Sequence, residues 1–313
     1  MKILVFGGGG FIGSAIVDRL LLEGHEIRIF ERPRVEPYRK FSVTEHVEWM
    51  FGDMLSSHDV SLALADRDLV IHLVSTTLPK SSNEDPIYDV QSNLVGTLQI
   101  LNAMVKLHVP KIIFISSGGT VYGTPQYLPI DESHPCNPQV SYGITKLAIE
   151  NYLLLYERMY GTKALILRVA NPFGKRQRIE TAQGAVSVFL HRAISGQPIN
   201  IWGDGSVTRD YIYIDDVAEA FARAINYDGP KSIFNVSQGQ GTNLNELIAL
   251  IEETLGHSIE KHYLPARDLD VAKNILSNHL ALQELEWAPK ISIREGIKLT
   301  AEWMTKEINA HQK

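Results

Sequence analysis

The sequence predicts an α/β protein: a doubly wound parallel sheet with a smaller, interleaved, mostly helical C-terminal lobe. Three observations predict it. Short apolar runs alternate with amphipathic helical segments through the first half of the chain. The first run, Ile3-Leu4-Val5-Phe6, meets a glycine-rich turn that opens directly into a helix-periodic stretch. After Arg168 the rhythm changes, yet no linker, repeat or low-complexity segment separates the two parts. The 313 residues suffice for one large domain or two modest ones.

Each element follows in order. Ile3 to Phe6 is apolar at every position, as a parallel strand covered on both faces must be. Ser14 to Leu22 has helical spacing and stops at Gly24. A second strand runs from Glu26 to Phe30. Arg32 to Glu45 reads as a loop with a short helix, Val47 to Phe51 as a short strand ending in Gly52-Asp53, and Ser57 to Ala65 as a helix. Asp68 to Val74 is a strand, followed by a polar loop to about Pro86 and one long helix from Ile87 to His108. The strand Lys111 to Ile115 ends in Ser116-Ser117. A proline-rich loop leads to the helix Tyr142 to Tyr160, closed by Gly161, and the strand Ala164 to Arg168 follows. Beyond it come a loop from Asn171 to Gln177, a helix from Ala185 to Ser195 and strands at Ile199 to Trp202 and Tyr211 to Ile214. The helix Asp215 to Ile225 and the strand Ile233 to Val236 are expected to return to the main sheet. Leu244 to the end reads as mostly helical. The expected division is therefore 1–169, with 211–236 returning to it, against a second lobe of 170–210 and 237–313.

Composition narrows the function. Hydrophobic residues are 44% and charged residues 21%, so the chain can bury a core. A net charge of -6 disfavours nucleic acid or an anionic membrane as the main partner, and any anionic ligand needs local cations. No apolar run approaches the roughly 18–20 residues of a membrane span. The chain enters its first strand at once, which leaves no room for a signal peptide. Cys136 is the single cysteine, so no intrachain disulfide is expected and a cytoplasmic setting is. The 11 histidines show no metal-ligand spacing, so no metal is expected.

Two motifs carry chemistry. Gly8, Gly10 and Gly13 fit G-x-G-x-x-G, and Gly7, Gly10 and Gly13 fit G-x-x-G-x-x-G. Either frame lies between strand and helix, with Glu31 about 20 residues on, the context of a dinucleotide site. The helix N-terminus suits a pyrophosphate. The second motif is Tyr142-Gly143-Ile144-Thr145-Lys146. At i and i+4 the phenol and the ammonium share a helix face. An adjacent ammonium favours the phenolate and lowers its pKa from about 10, giving a tyrosine that handles protons.

With these residues in place the chain resembles the extended short-chain dehydrogenases/reductases, in the nucleotide-sugar epimerase and dehydratase group and closest to its UDP-hexose 4-epimerases. The resemblance is carried by Gly7 to Gly13, Gly52-Asp53, Asn93, Ser116 to Gly123, Tyr142 to Lys146, Asn171-Pro172, Arg209-Asp210-Tyr211 and Arg267 to Asp270. It implies a Rossmann domain binding NAD through Gly7, Gly10, Phe11, Ile12, Gly13, Glu31, Arg32, Asp53, Met54, Leu73, Asn93, Ser116, Tyr142 and Lys146. Glu31 would meet the adenosine ribose and Asp53 the adenine. Arg32 and Arg34 beside Glu31 leave NADP as the competing cofactor. Tyr142 would move the sugar hydroxyl proton, Lys146 would hold the nicotinamide ribose, and a hydroxyl after the Lys111 strand would polarise the reacting oxygen. Asn171, Arg209 and Arg267 would hold a diphosphate, Gly118 would border the sugar, and Asn274 would stand beside its C2 substituent. The family dimerises through the helices that match those around Asn93 and Tyr142, so a homodimer is implied.

One stretch departs from the family pattern. Counting back from Val121 puts Gly118 where the hydroxyl belongs; counting forward from the strand puts Ser117 there. Ser117 is the expected residue and Thr120 the second candidate. The dehydratases of the group carry Asp-Glu here, and Gly118-Gly119 cannot do that chemistry. The reading is an NAD-dependent 4-epimerase of a UDP-hexose or UDP-N-acetylhexosamine. The alternatives are an NAD(P)-dependent reductase of a nucleotide-activated 4-keto sugar and, from another class, a non-catalytic dinucleotide sensor.

Overall fold

The computed structural model describes residues 1–178, 184–266 and 271–311. Its strands are β1 (Lys2–Phe6), β2 (Glu26–Glu31), β3 (Val47–Phe51), β4 (Leu69–His72), β5 (Lys111–Ser117), β6 (Lys163–Val169), β7 (Asn171–Phe173), β8 (Ile199–Trp202), β9 (Thr208–Tyr213), β10 (Ile233–Val236), β11 (Gly241–Asn243), β12 (Lys261–Leu264) and β13 (Lys273–Asn274). The helices are α1 (Phe11–Leu22), α2 (Ser57–Leu64), α3 (Pro79–Glu84), α4 (Pro86–Asp89), α5 (Gly96–Leu107), α6 (Ser141–Tyr160), α7 (Ala185–Ile194), α8 (Ile214–Ile225), α9 (Leu244–Leu255), α10 (His279–Leu285) and α11 (Ile293–His311). A π-helical turn, Val90–Val95, joins α4 to α5.

Seven parallel strands form the main sheet in the order β10-β6-β5-β4-β1-β2-β3. The alternation of side chains along β1 builds a core on each face. Ile3 and Val5 pack with Ile16 and Leu20 of α1 and Val217 and Phe221 of α8. Leu4 and Phe6 pack with Val60 of α2, Ile100 and Met104 of α5 and Ile149 of α6. The order of strands reverses between β1 and β4, and the loops after β1, β2, β4 and β5 open at the carboxyl ends of the strands, where such sheets bind ligands.

The second lobe holds more strand than its sequence suggests. β9 is flanked by β11, β13 and β7, and β12 pairs with β8. β13 has only two residues, and its pairing with Thr208 and Arg209 alone makes it a strand. The stretch after β4, expected as loop, forms α3, with Pro79 in its first turn where a missing N–H is harmless. The single helix expected over Ile87 to His108 is interrupted by the π turn. Among the described residues no helix is long and apolar enough to cross a membrane.

Candidate active site

The glycine turn is packed backbone to backbone. A Cβ on Gly13 would stand 2.1 Å from the Gly7 carbonyl oxygen, so α1 can lie this close to β1 only with glycine there. Gly7 has φ +84, which favours glycine too. Gly10 is open, its nearest neighbour for a Cβ being 3.6 Å away. The first N–H to enter the α1 ladder is that of Ser14, bonded to the Gly10 carbonyl at 2.9 Å. The N–H groups of Phe11, Ile12 and Gly13 therefore lie at the helix's open end, where an anion is favoured. The Gly9 N–H donates to Glu31 Oε1 at 3.0 Å, holding that carboxylate at the tip of β2. Burial pushes the Glu31 carboxyl upward, against the Gly9 N–H and the nearby Arg32 charge. Arg32 is exposed. The donors and the acceptor fit a dinucleotide's diphosphate and ribose.

Around this turn the other expected cofactor residues divide. Asp53 is exposed and accepts from the Leu55 N–H at 2.9 Å. Met54 is buried, and a Cβ on Gly96 would stand 2.7 Å from its Cε. Leu73 donates its N–H to Phe6 at 3.0 Å and is half-buried. Asn93 spends its amide on protein: Oδ1 accepts from the Thr76 N–H at 2.9 Å, and Nδ2 donates to Thr77 Oγ1 at 3.1 Å and Asp89 Oδ1 at 2.9 Å. It shapes the loop after β4. Ser116 is turned away from the cleft; its hydroxyl donates to Glu150, itself paired with Arg168 at 2.6 Å.

Tyr142 and Lys146 sit on the first turns of α6, with the Tyr142 N–H donating to Ser82 Oγ of α3 at 3.0 Å. Lys146 is buried, donates to the Ile115 carbonyl at 3.0 Å, and lies 4.6 Å from the Phe114 ring centre and 5.6 Å from that of Tyr142. Burial pushes Lys146 down to about 8, while the charges of Glu150 and Asp89 pull it back. Burial also pushes the Tyr142 phenol up to about 12; a hydrogen bond with Ser75 opposes that rise and the Asp89 charge adds to it. The lowered phenol expected from the i, i+4 spacing is thus corrected: in this cleft desolvation outweighs the ammonium. Ser75 went unnoticed in the sequence, because nothing local marks a loop serine as facing α6.

The hydroxyl candidates lie at and just beyond the end of β5. Ser117, the last residue of β5, is half-buried, and its Oγ makes no hydrogen bond to protein among the described residues. A Cβ on Gly119 would stand 3.9 Å from Ser117 Oγ and 4.0 Å from Asn171 Oδ1, which places these two groups at one corner of the cleft. Thr120 Oγ1 is buried without a partner. A Cβ on Gly118 would stand 2.3 Å from Leu276 Cδ1, so a hydroxyl-bearing residue is barred there.

From Asn171 the cleft opens into a pocket of about 490 Å³ lined by Phe173, Phe189, Arg192, Asn200, Trp202, Arg209 and Tyr211. Asn171 donates to the Asp210 carbonyl at 2.9 Å, and Arg209 to the Val271 carbonyl at 2.6 Å. Asp210 accepts the N–H groups of Gln238, Gly239 and Leu276 at 2.8, 3.1 and 3.3 Å, and burial pushes it up to about 7. Asn274 is buried beside Arg209; its Nδ2 donates to the Gly118 carbonyl at 3.2 Å, and its Oδ1 has no partner. Arg267 lies outside the described residues.

Comparison with known proteins places this geometry. The model of the NAD dependent epimerase/dehydratase family matches residues 3–237. UDP-glucose 4-epimerase of Mycolicibacterium smegmatis is 35% identical over 97% of this chain and 98% of its own length. The crystal structure of Thermotoga maritima UDP-glucose 4-epimerase with UDP-glucose superposes with a TM-score of 0.93 at 35% identity, covering 98% of this chain and 100% of that one. UDP-N-acetylglucosamine 4-epimerase of Methanobrevibacter ruminantium, solved with UDP-N-acetylmuramic acid, gives 0.92 at 27% identity, covering 98% of each chain.

Proposed function

The chain belongs to the NAD dependent epimerase/dehydratase family as an NAD-using isomerase, and on that premise we propose that it interconverts the C4 epimers of a UDP-linked hexose or N-acetylhexosamine. The observation that carries this reading is the pairing of Tyr142 with Lys146 on the first turns of α6, together with a β5 end that offers Ser117, without a hydrogen bond among the described residues, and Gly118 and Gly119 where a dehydratase needs an acid pair. NAD, when bound, supplies a hydride acceptor at C4 that later returns what it took. Tyr142 takes the proton of the sugar's 4-hydroxyl and gives it back. Ser117 donates to the same oxygen, with Thr120 as the second candidate. Lys146 holds a ribose and keeps positive charge near the phenol. The N–H groups of Phe11, Ile12 and Gly13 hold the cofactor diphosphate, and Glu31 accepts from its ribose. Asp53, Met54 and Leu73 border the adenosine, with Asn93 shaping the loop beside it.

For the substrate, Arg209, Asn171 and Arg267 hold the diphosphate, since arginine contacts to phosphate are strong and an acidic chain must supply its cations locally. The aromatic pocket beyond them takes the base. Asn274 walls the sugar at C2. UDP-glucose, UDP-N-acetylglucosamine and their C4 epimers, each mixed with pure protein without added cofactor, test the reading. The expected outcome is a mixture of both epimers from either side. Conversion that consumes one reduced nicotinamide per sugar would move the assignment to a 4-keto-sugar reductase.

A homodimer is part of the same proposal. Ile87, Val90, Val95 and Ile144 are exposed on α4, the π turn and α6, which pack side by side. A second copy covers that face, and a monomeric mass in light scattering would refute it. The half-buried free thiol of Cys136 accords with a cytoplasmic enzyme.

A further inference from the structure

Two buried carboxylates act on Lys146, and they differ in how they are neutralised. Glu150, one turn further along α6, is bound by Arg168 at 2.6 Å, with side chains 2% and 4% exposed. Asp89, the last residue of α4, is fully buried and accepts from neutral donors only: the Thr77 hydroxyl, Asn93 Nδ2 at 2.9 Å, Ser141 Oγ at 2.8 Å and Thr145 Oγ1 at 2.7 Å. Among the described residues no cation pairs with it directly. A buried charge with no opposite charge nearby is strongly disfavoured. Arg168 answers Glu150, which leaves Lys146 to answer Asp89.

We propose that Asp89 is the positioning residue and counter-charge of the Tyr142–Lys146 pair, fixing the turn that carries them and keeping the ammonium protonated in a buried site. The inference rests on the roles given to Tyr142 and Lys146 above. Ser141 and Thr145 flank Tyr142 at −1 and +3, so one carboxylate oxygen pins the first turn of α6 from both sides. The other oxygen holds Thr77 and Asn93, and with them the loop that brings Ser75 to the Tyr142 hydroxyl. The negative charge favours the protonated form of both Tyr142 and Lys146. The remaining groups facing Lys146 are Glu150, already paired, and His72 of β4, which burial holds neutral by lowering it to about 3.

Asp89→Asn tests the charge with little change of shape, because the Ser141 and Thr145 hydroxyls can turn round and accept the two N–H groups of the new amide while its oxygen keeps Thr77 and Asn93. The holoenzyme should keep its fold and its NAD, and both limbs of its pH–rate profile should move to lower pH by about one unit. Limbs that stay in place overturn the proposal, whatever happens to turnover. A second measurement needs no activity. Lys146→Met leaves the buried Asp89 carboxylate without its counter-charge, so the variant should be less stable than the wild type at pH 8. Adding Asp89→Asn should restore melting temperature at pH 8 relative to Lys146→Met alone. Purely additive losses in that double-mutant cycle overturn the proposal. Tyr142→Phe at wild-type turnover would sink the catalytic reading instead, and would leave the cycle untouched.

Discussion

The Lys146 ammonium stands 5.6 Å from the centre of the Tyr142 ring and gives its hydrogen bond to the Ile115 carbonyl, 3.0 Å away. Burial leaves the phenol up at about 12. Such a tyrosine moves a proton only inside a closed, polar-lined site. Tyr142→Phe removes the proton carrier and keeps the ring. It should retain fold and bound NAD and lose at least about a hundredfold in kcat, the scale of general acid–base catalysis. Turnover and the cofactor released on denaturation check it.

Ser117 and Gly118 make a paired prediction. Ser117→Ala should cost about a hundredfold in kcat, as loss of one donor to a developing oxyanion does, with stability unchanged. If Thr120→Val carries that loss instead, the hydroxyl comes from Thr120. Gly118→Ser added to Ser117→Ala should restore no activity. Its Cβ would collide with Leu276 Cδ1 at 2.3 Å, and overpacking of this kind costs about 1–3 kcal/mol in denaturant unfolding.

Much of this was legible in the chain itself. β1, β5 and β6 are apolar runs because they are covered on both faces, and the glycines announce a close approach that only Gly13 permits. Tyr142 and Lys146 share a face because a helix repeats every 3.6 residues. What stayed hidden is tertiary. β13 exists only through its pairing with β9, and the π turn has no local signal. Asp89 reads as a solvated helix carboxylate until Thr77, Ser141 and Thr145 are brought round it. The direction of the Tyr142 shift depends on burial, which spacing does not carry.

In the proposed reading Glu31 accepts from the cofactor's ribose. Its Oε1 is occupied by the Gly9 N–H, which leaves the carboxylate fixed at the tip of β2 as an acceptor. Glu31→Ala should weaken NAD by about tenfold or more, the loss expected for a charged hydrogen bond, and should narrow its advantage over NADP. Calorimetry with both dinucleotides on protein stripped of cofactor decides it. An unchanged ratio would assign the discrimination to residues other than Glu31.

In the proposed reading Asn274 walls the sugar at C2. It is 1% exposed, and its Nδ2 is tied to the Gly118 carbonyl, so it cannot retreat from the cleft. Its Oδ1 is buried and has no partner among the described residues, an acceptor suited to the N–H of an acetamide. If Asn274 walls the sugar at C2 as proposed, a tyrosine at this buried position takes space from the C2 substituent. Asn274→Tyr should therefore lower turnover of UDP-N-acetylglucosamine by at least tenfold relative to UDP-glucose, about the 1.4 kcal/mol of a modest clash. The substitution also removes the bond to Gly118, and that loss falls on both substrates alike. Asn274→Leu separates the two effects, since it breaks the bond without filling the space. If Asn274→Tyr and Asn274→Leu change the ratio of kcat/KM for the two sugars by the same factor, Asn274 supports the Gly118 loop and does not select the sugar.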